Sequence, residues 1–356
     1  MALIIKQYPD LSQPYLFYGG TESLRFSKKI WTWFKEHDGG TLEPLSGVTG
    51  TCKIIDHSAP LMVWAVKMAL QRAHARLQEH RRADGFYEVY EEELAAILVD
   101  AKKADREVLE DAGNVGHIAH AWIESYIQSI LAKDNPRSLE ILAKWPEDER
   151  AANCCIAAVE WMFNHKVEWL QTERKVYSRE FKYAGTMDGL AIVSACENPR
   201  CCAQPFTDRL SIVDWKTSNH LYAEYLLQTA AYQQAYMEET AEAVQDRWIL
   251  RLGKDDAEFD PWHAAGAELF LPDFTGFRHA LNLSLTMKQI DRRIWEIRDR
   301  RREFEREEKA AAKEAAYRIA CPKSKDYLGS RLTKCFDDGS QCEACARVYN
   351  ARHSQN

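Results

Sequence analysis

The 356-residue chain has no run of eighteen or more apolar residues, so no membrane-spanning helix is expected. Its first residues, M-A-L-I-I-K-Q-Y-P-D, lack the basic start, long apolar centre and small-residue cleavage site of a secretory leader, which makes the cytoplasm the expected compartment. In that compartment the ten cysteines are expected to be reduced or metal-bound, not paired as disulfides. No internal repeat and no low-complexity linker divides the chain. Positive charge is also short, with 47 Lys and Arg against 54 Asp and Glu and a net charge of −7. A partner with a phosphate backbone must therefore be met by local positive charge. The best local source is Arg292, Arg293, Arg298, Arg300, Arg301 and Arg302, although acids are interspersed there as on any solvated helix.

What the chain does have is 46% apolar residues, enough for a substantial core, and two apolar runs that each carry one carboxylate. The first reads Y-A-G-T-M-D-G-L-A-I-V and holds Asp188; the second reads L-S-I-V-D-W-K-T-S and holds Asp214 and Lys216. Residues two apart on a strand point to one face, so Asp214 and Lys216 project together. Two carboxylates beside a lysine are the groups that Mg²⁺- or Mn²⁺-dependent phosphodiester hydrolysis needs. The acids hold the cation and the ammonium stabilises developing negative charge or positions the attacking water. A lone D-x-K is weak, because such triplets are common at solvated strand edges. Their order along the chain adds weight: G-T-M-D-G, then D-W-K, then a helix with Gln228 and Tyr232 one turn apart.

That order resembles the PD-(D/E)XK nuclease superfamily, and within it the RecB-like and phage-type exonucleases, which are related to the CRISPR-adaptation nucleases. The resemblance implies Asp188 and Asp214 as metal ligands, Lys216 completing the catalytic set, and Gln228 and Tyr232 facing the substrate. It also implies a metal-binding His on a helix ahead of the sheet. G-H-I-A-H-A-W-I-E supplies His120, with His117 as a rival that fits less well. His120 and Glu124 are four apart and share a helical face, and Glu124 either binds metal through water or orients His120. Glu173 on the preceding strand either adds a carboxylate or lies at the surface. The pattern covers roughly residues 40 to 300, from L-S-G-V-T-G-T-C-K onward.

Both departures from the family contain cysteine. Cys321, Cys335, Cys342 and Cys345 crowd a short polar tail, where a C-x-x-C pair and two further thiolates suit a tetrahedral site. Zinc is favoured there over a 4Fe–4S cluster, which Cys52 with the last three of those cysteines would hold in the layout of some relatives. Cys196, Cys201 and Cys202, in C-E-N-P-R-C-C between the acid-bearing strands, are either incidental thiols of an extended hairpin or the start of a second metal site with no evident fourth ligand. Cys154 and Cys155, inside an apolar helical stretch, read as core residues.

The expected fold is α/β, a restriction-endonuclease-like mixed sheet flanked by helices. A strand or hairpin region is expected over 1–58, the nuclease domain over 59–318 and a Cys-rich metal module over 319–356. Helical periodicity runs from about 59 to 131, over about 149–169 and from about 274 to 318; strands are expected near 172–178, 183–194, 209–215 and 246–260. The function implied is a metal-dependent DNA nuclease, an exonuclease of phage-type recombination, replication or repair. An annealing protein or helicase would be its partner, and the host cytoplasm its location if the chain is phage-encoded. The alternatives are a catalytically silent nucleic-acid-binding or assembly protein on the same fold, and a structure-specific endonuclease.

Overall fold

In a computed structural model, the described residues are 3–4, 8–55, 58–198, 201–202 and 205–320. The tail cysteines Cys321, Cys335, Cys342 and Cys345 lie outside them. The chain divides into two compact units, 1–284 and 285–356. The first is a mixed α/β unit around ten strands.

An antiparallel meander comes first: β1 (Leu3–Ile4), β2 (Tyr15–Phe17), β3 (Glu22–Ser27), β4 (Thr32–His37) and β5 (Thr41–Gly47). Glycines with positive φ make the β2–β3 reversal (Gly19, Gly20) and the β4–β5 reversal (Gly39, Gly40), and Trp31 at a φ of 50° turns β3 into β4. One helical turn, α1 (Val48–Cys52), follows directly, and then α2 (Ser58–Gln78), α3 (Glu91–Ala101), α4 (Ala104–Leu131), α5 (Asn135–Leu142) and α6 (Glu149–Asn164). The Asp148 carboxylate caps α6 by accepting the Arg150 and Ala151 backbone N–H groups. The sequence pattern carries that helix to 169, but it stops at Asn164. Lys166 turns the chain at a φ of 47°, and Trp169 already belongs to β6 (Glu168–Ser178).

β6 pairs antiparallel with β7 (Tyr183–Val193), and β7 with β8 (Arg209–Lys216). After α7 (Ala223–Thr240), β9 (Asp246–Leu252) lies parallel to β8 and antiparallel to β10 (Phe259–Ala265). The last element is the long helix α8 (Ala267–Ala320). From residue 285 onward it belongs to the second unit, and the arginines from Arg292 to Arg302 sit on it among Glu and Asp.

The sheet of the first unit buries both faces. Ala119, Ile123 and Ile127 of α4, and Cys154, Cys155, Ala158 and Trp161 of α6, pack on one face against Val213, Trp215, Trp248 and Leu250. Cys154 and Cys155 are fully buried there, as small apolar residues should be. On the other face Val48, Tyr232, Tyr236, Phe274 and Phe277 pack against Val176, Met187, Leu190 and Ile212. Alternate residues of β8 serve the two cores, with Ile212 on one side and Val213 and Trp215 on the other. This fixes its register, because a slip of one residue would exchange the faces.

β7 is the strand around which the sheet divides. One edge pairs with β6 along most of its length. The other edge pairs with β5 only at Tyr183 and Ala184, and with β8 only over Gly189–Val193. Residues 185–188 lie in the fork between those two partners. Gly185 has no side chain because α7 and α1 press on it: a Cβ there would stand 2.7 Å from Tyr232 Cε1 and 3.0 Å from Val48 Cγ2. The Gly185→Ala variant is expected to lose about 1–3 kcal/mol through overpacking. The check is a shift of the denaturant midpoint at constant slope.

Candidate active site at the sheet fork

The fork gathers the charged residues. Were the ladder between β7 and β8 to continue past Gly189–Val213, Asp188 and Asp214 would be the next pair. Instead the Asp188 Oδ2 accepts the Trp215 backbone N–H at 2.9 Å, so a side chain replaces the ladder bond where the strands part. On the opposite edge, β6 pairs Thr172 with Gly189 and Arg174 with Met187, and Glu173 and Asp188 face each other outside the ladder. Glu173 takes a φ of 50°. Among the described residues it is the one non-glycine residue inside a strand in the left-handed region; the others of that kind lie at turns, loops or helix ends. Such a conformation costs about 1–2 kcal/mol, and strain of this sort accumulates at functional sites.

α4 brings His120 to the fork. Val115, Ala119, Ile123 and Ile127 bury one stripe of the helix, with His120 and Glu124 at its half-buried margin. Close approach of α4 to the end of β8 depends on Gly116, where a Cβ would come within 2.8 Å of Thr217 Oγ1. His120 Nδ1 stands 3.8 Å from Asp188 Oδ2. His117, the rival reading, is exposed, so the helix turns His120 and not His117 toward the carboxylates. Glu124 accepts from Gln128 Nε2 at 2.8 Å and lies close enough to Glu173 for its charge to be felt there.

β8 supplies the remaining pair. Asp214 is 1% exposed, and Lys216 Nζ sits 2.5 Å from its Oδ2. That ammonium is the cation that meets this buried oxygen. Burial pushes the Asp214 carboxyl above its usual range and the Asp188 charge adds to this, while Lys216 and His120 oppose them. Burial pulls the Lys216 ammonium down, but Asp214 and Asp188 more than offset it, and it stays charged. The Glu173 carboxyl is pushed up to about 6, chiefly by burial and then by Asp188. Acids held near one another against their own repulsion form an oxygen-rich donor set that fits a hard divalent cation. Their ligand atoms do not all fall within 4.8 Å of one another.

Gln228 and Tyr232 behave differently from each other. Gln228 is half-buried and donates its Nε2 to the Tyr232 hydroxyl at 2.7 Å. Tyr232 is 2% exposed and packs in the core against Gly185. Tyr232 therefore occupies a helix face packed on the sheet and is not open to solvent. The helical spacing that aligns it with Gln228 points it into the sheet, where it supports Gln228 from beneath. Cys52 is buried near Lys216 and Asp214, with its thiol pushed up to about 12 mainly by burial.

A second cluster lies at the far end of the same two strands. His165, Cys196, Cys201 and Cys202 are the group among the described residues whose ligand atoms all lie within 4.8 Å of one another, and they could bind a metal such as zinc. His165 is the fourth ligand that the sequence reading lacked. It sits at the end of α6, far from the cysteines along the chain, and no ligand spacing links it to them.

The Glu173 shift has a definite sign in pH. The unfolded chain releases this proton near the ordinary value of 4.5 and the folded chain near about 6. Its contribution to the metal-free fold is therefore fully present below the first value and lost as pH rises through the second. A cation bound through the Glu173 carboxylate would have to displace that proton. The rise in melting temperature on adding Mg²⁺ or Mn²⁺ is expected to be larger at about pH 7.5 than at about pH 5. Glu173→Gln is expected to narrow the difference, as read by thermal unfolding at both pH values; an equal response at both pH values would remove Glu173 from the cation site.

No protein-family model matches this chain and no curated protein matches it, so the functional reading rests on the fork and its residues.

Proposed function

We propose that the protein is a metal-dependent DNA nuclease of the PD-(D/E)XK type, acting as an exonuclease. The observation that carries this reading is the meeting of Asp188, Asp214, Lys216 and His120 at the point where the sheet divides, with Glu173 strained toward them. Burying an acid to 1% exposure near the Asp188 carboxylate is costly for a core sheet, and Lys216 offsets part of that cost. The mixed sheet with helices on both faces is consistent with a restriction-endonuclease-like fold.

Asp188, Asp214 and His120 would hold Mg²⁺ or Mn²⁺, with Glu173 and Glu124 at the margin. When bound, the cation supplies Lewis-acid polarisation of the scissile phosphate and a lowered pKa for water. Lys216, kept charged by Asp214 and Asp188, places a fixed positive charge beside the acids. There it stabilises negative charge developing on phosphate oxygens or orients the attacking water. The Trp215 N–H holds the Asp188 carboxylate in one orientation, so the site does not have to reorganise when substrate arrives. Gln228, steadied by Tyr232, is the polar group offered to the nucleic-acid strand.

Past Lys216 in the chain, Thr217, Ser218 and Asn219 with Arg251 and Lys254 line a hollow of about 170 Å³, and Asp255 and Asp256 lie on its other side. Arg251 and Lys254 are the cations of this hollow, and Asp255 and Asp256 balance their charge, so a phosphate backbone would have to compete with those acids.

The test is incubation of the full chain with end-labelled single- and double-stranded linear DNA and a closed circle, in Mn²⁺, Mg²⁺ or EDTA. Cation-dependent loss of linear DNA alone is expected. Lys216→Ala and Asp188→Ala are expected to cut the rate by at least about 100-fold, with unfolding midpoints near that of the parent. Full activity in either variant would sink the site assignment. Binding without cleavage under every cation would favour the silent, assembly-protein reading, and cleavage of the circle would favour an endonuclease.

A further inference from the structure

We propose that His165, Cys196, Cys201 and Cys202 form a closed, structural zinc site that pins the far end of the β7–β8 hairpin to the C-terminus of α6. The case rests on distances. A tetrahedral zinc ion with thiolates at about 2.3 Å and an imidazole nitrogen at about 2.0–2.1 Å sets sulfur atoms about 3.8 Å apart and sulfur about 3.6 Å from nitrogen. In this fold Cys196 Sγ lies 3.7 Å from Cys202 Sγ, and His165 Nε2 lies 3.5 Å from Cys202 Sγ and 3.1 Å from Cys201 Sγ. Two of these separations match a single tetrahedral ion, the third is shorter, and all four ligand atoms lie within 4.8 Å of one another. Four protein ligands leave no open position, which marks a structural site and not a catalytic one.

The imidazole is set up for ligation. Its Nδ1 lies 2.9 Å from the Trp161 carbonyl oxygen, an acceptor only, so Nδ1 carries the proton and the Nε2 lone pair faces the thiols. The ring is fully buried, stacked on Trp161 and edge-on to Trp248. The loop is held from the other side too: the Cys201 and Cys202 backbone N–H groups both donate to the Asn198 carbonyl, and Ser194 N–H donates to the His165 carbonyl. Residues 194–208 would be a long connection for a hairpin without such a fastening. By fixing the ends of β7 and β8, the ion fixes the register that leaves Asp188 opposite Asp214.

The experiment uses the full chain with Cys342→Ser and Cys345→Ser, which removes ligands from the tail without touching the hairpin. After purification without chelator, elemental analysis is expected to find about one zinc per chain, lost when His165→Ala or Cys201→Ser is added. Reconstitution of the tail variant with Co²⁺ is expected to give the visible bands of a tetrahedral, thiolate-ligated ion, a readout independent of whether the ligand variants fold. Zinc content unchanged by Cys201→Ser overturns the proposal. A cobalt spectrum without thiolate charge transfer does so too, as does a Cys196–Cys202 disulfide found by alkylation and mass spectrometry.

Discussion

The hydrogen bond from the Trp215 N–H to the Asp188 carboxylate is the constraint on which the site depends. A sheet that continued its ladder through residues 185–188 would spend those backbone groups on β8 and keep the strands parallel to one another's edges. By substituting a carboxylate for a carbonyl at that point, the chain ends one pairing and begins the divergence that admits β5 on the same edge of β7. Asp188 is therefore both an architectural residue and a charged one. Its negative charge then conditions everything near it: it raises the Asp214 and Glu173 carboxyls and helps keep Lys216 protonated.

Much of this is legible in the sequence, for reasons that differ by residue. Asp214 and Lys216 are legible because a strand has a period of two and their run is buried on both sides, which fixes the face they share. His120 is legible through the resemblance of G-H-I-A-H-A-W-I-E to the nuclease pattern, and the buried stripe of α4 accounts for its place at the half-buried margin. Glu173 is visible only as a carboxylate on a neighbouring strand, since nothing local announces a left-handed residue in the middle of β6. Tyr232 shows the limit of helical spacing: it states which residues align and is silent on whether that face is turned in or out. His165 escapes because its partners are brought to it by the sheet and by α6, whereas ligand spacing is read along the chain.

The two clusters divide the labour of charge in different ways. At the fork, oxygens repel one another and are kept together by packing and by one lysine, an arrangement that suits a hard cation. At the hairpin end, sulfur and nitrogen sit among tryptophans, which suits a borderline-soft one. Both sit on β7 and β8 or their connection, at opposite ends of a short antiparallel pair.

The meander β2–β5 touches β7 through two residue pairs, Ser46 with Tyr183 and Gly47 with Ala184. More than a third of the chain's length separates those partners in sequence. Within the meander each strand pairs with its immediate neighbour, so it closes through local contacts that form early. Joining it to β7 means closing a loop whose entropic cost is on the order of 4 kcal/mol before any contact repays it. Val48, which presses on Gly185 beneath the fork, arrives with that same step. The two arms of the fork thus differ in reach: the β8 arm, which carries the acids, closes through a hairpin, whereas the β5 arm closes through the most distant pairing in the sheet.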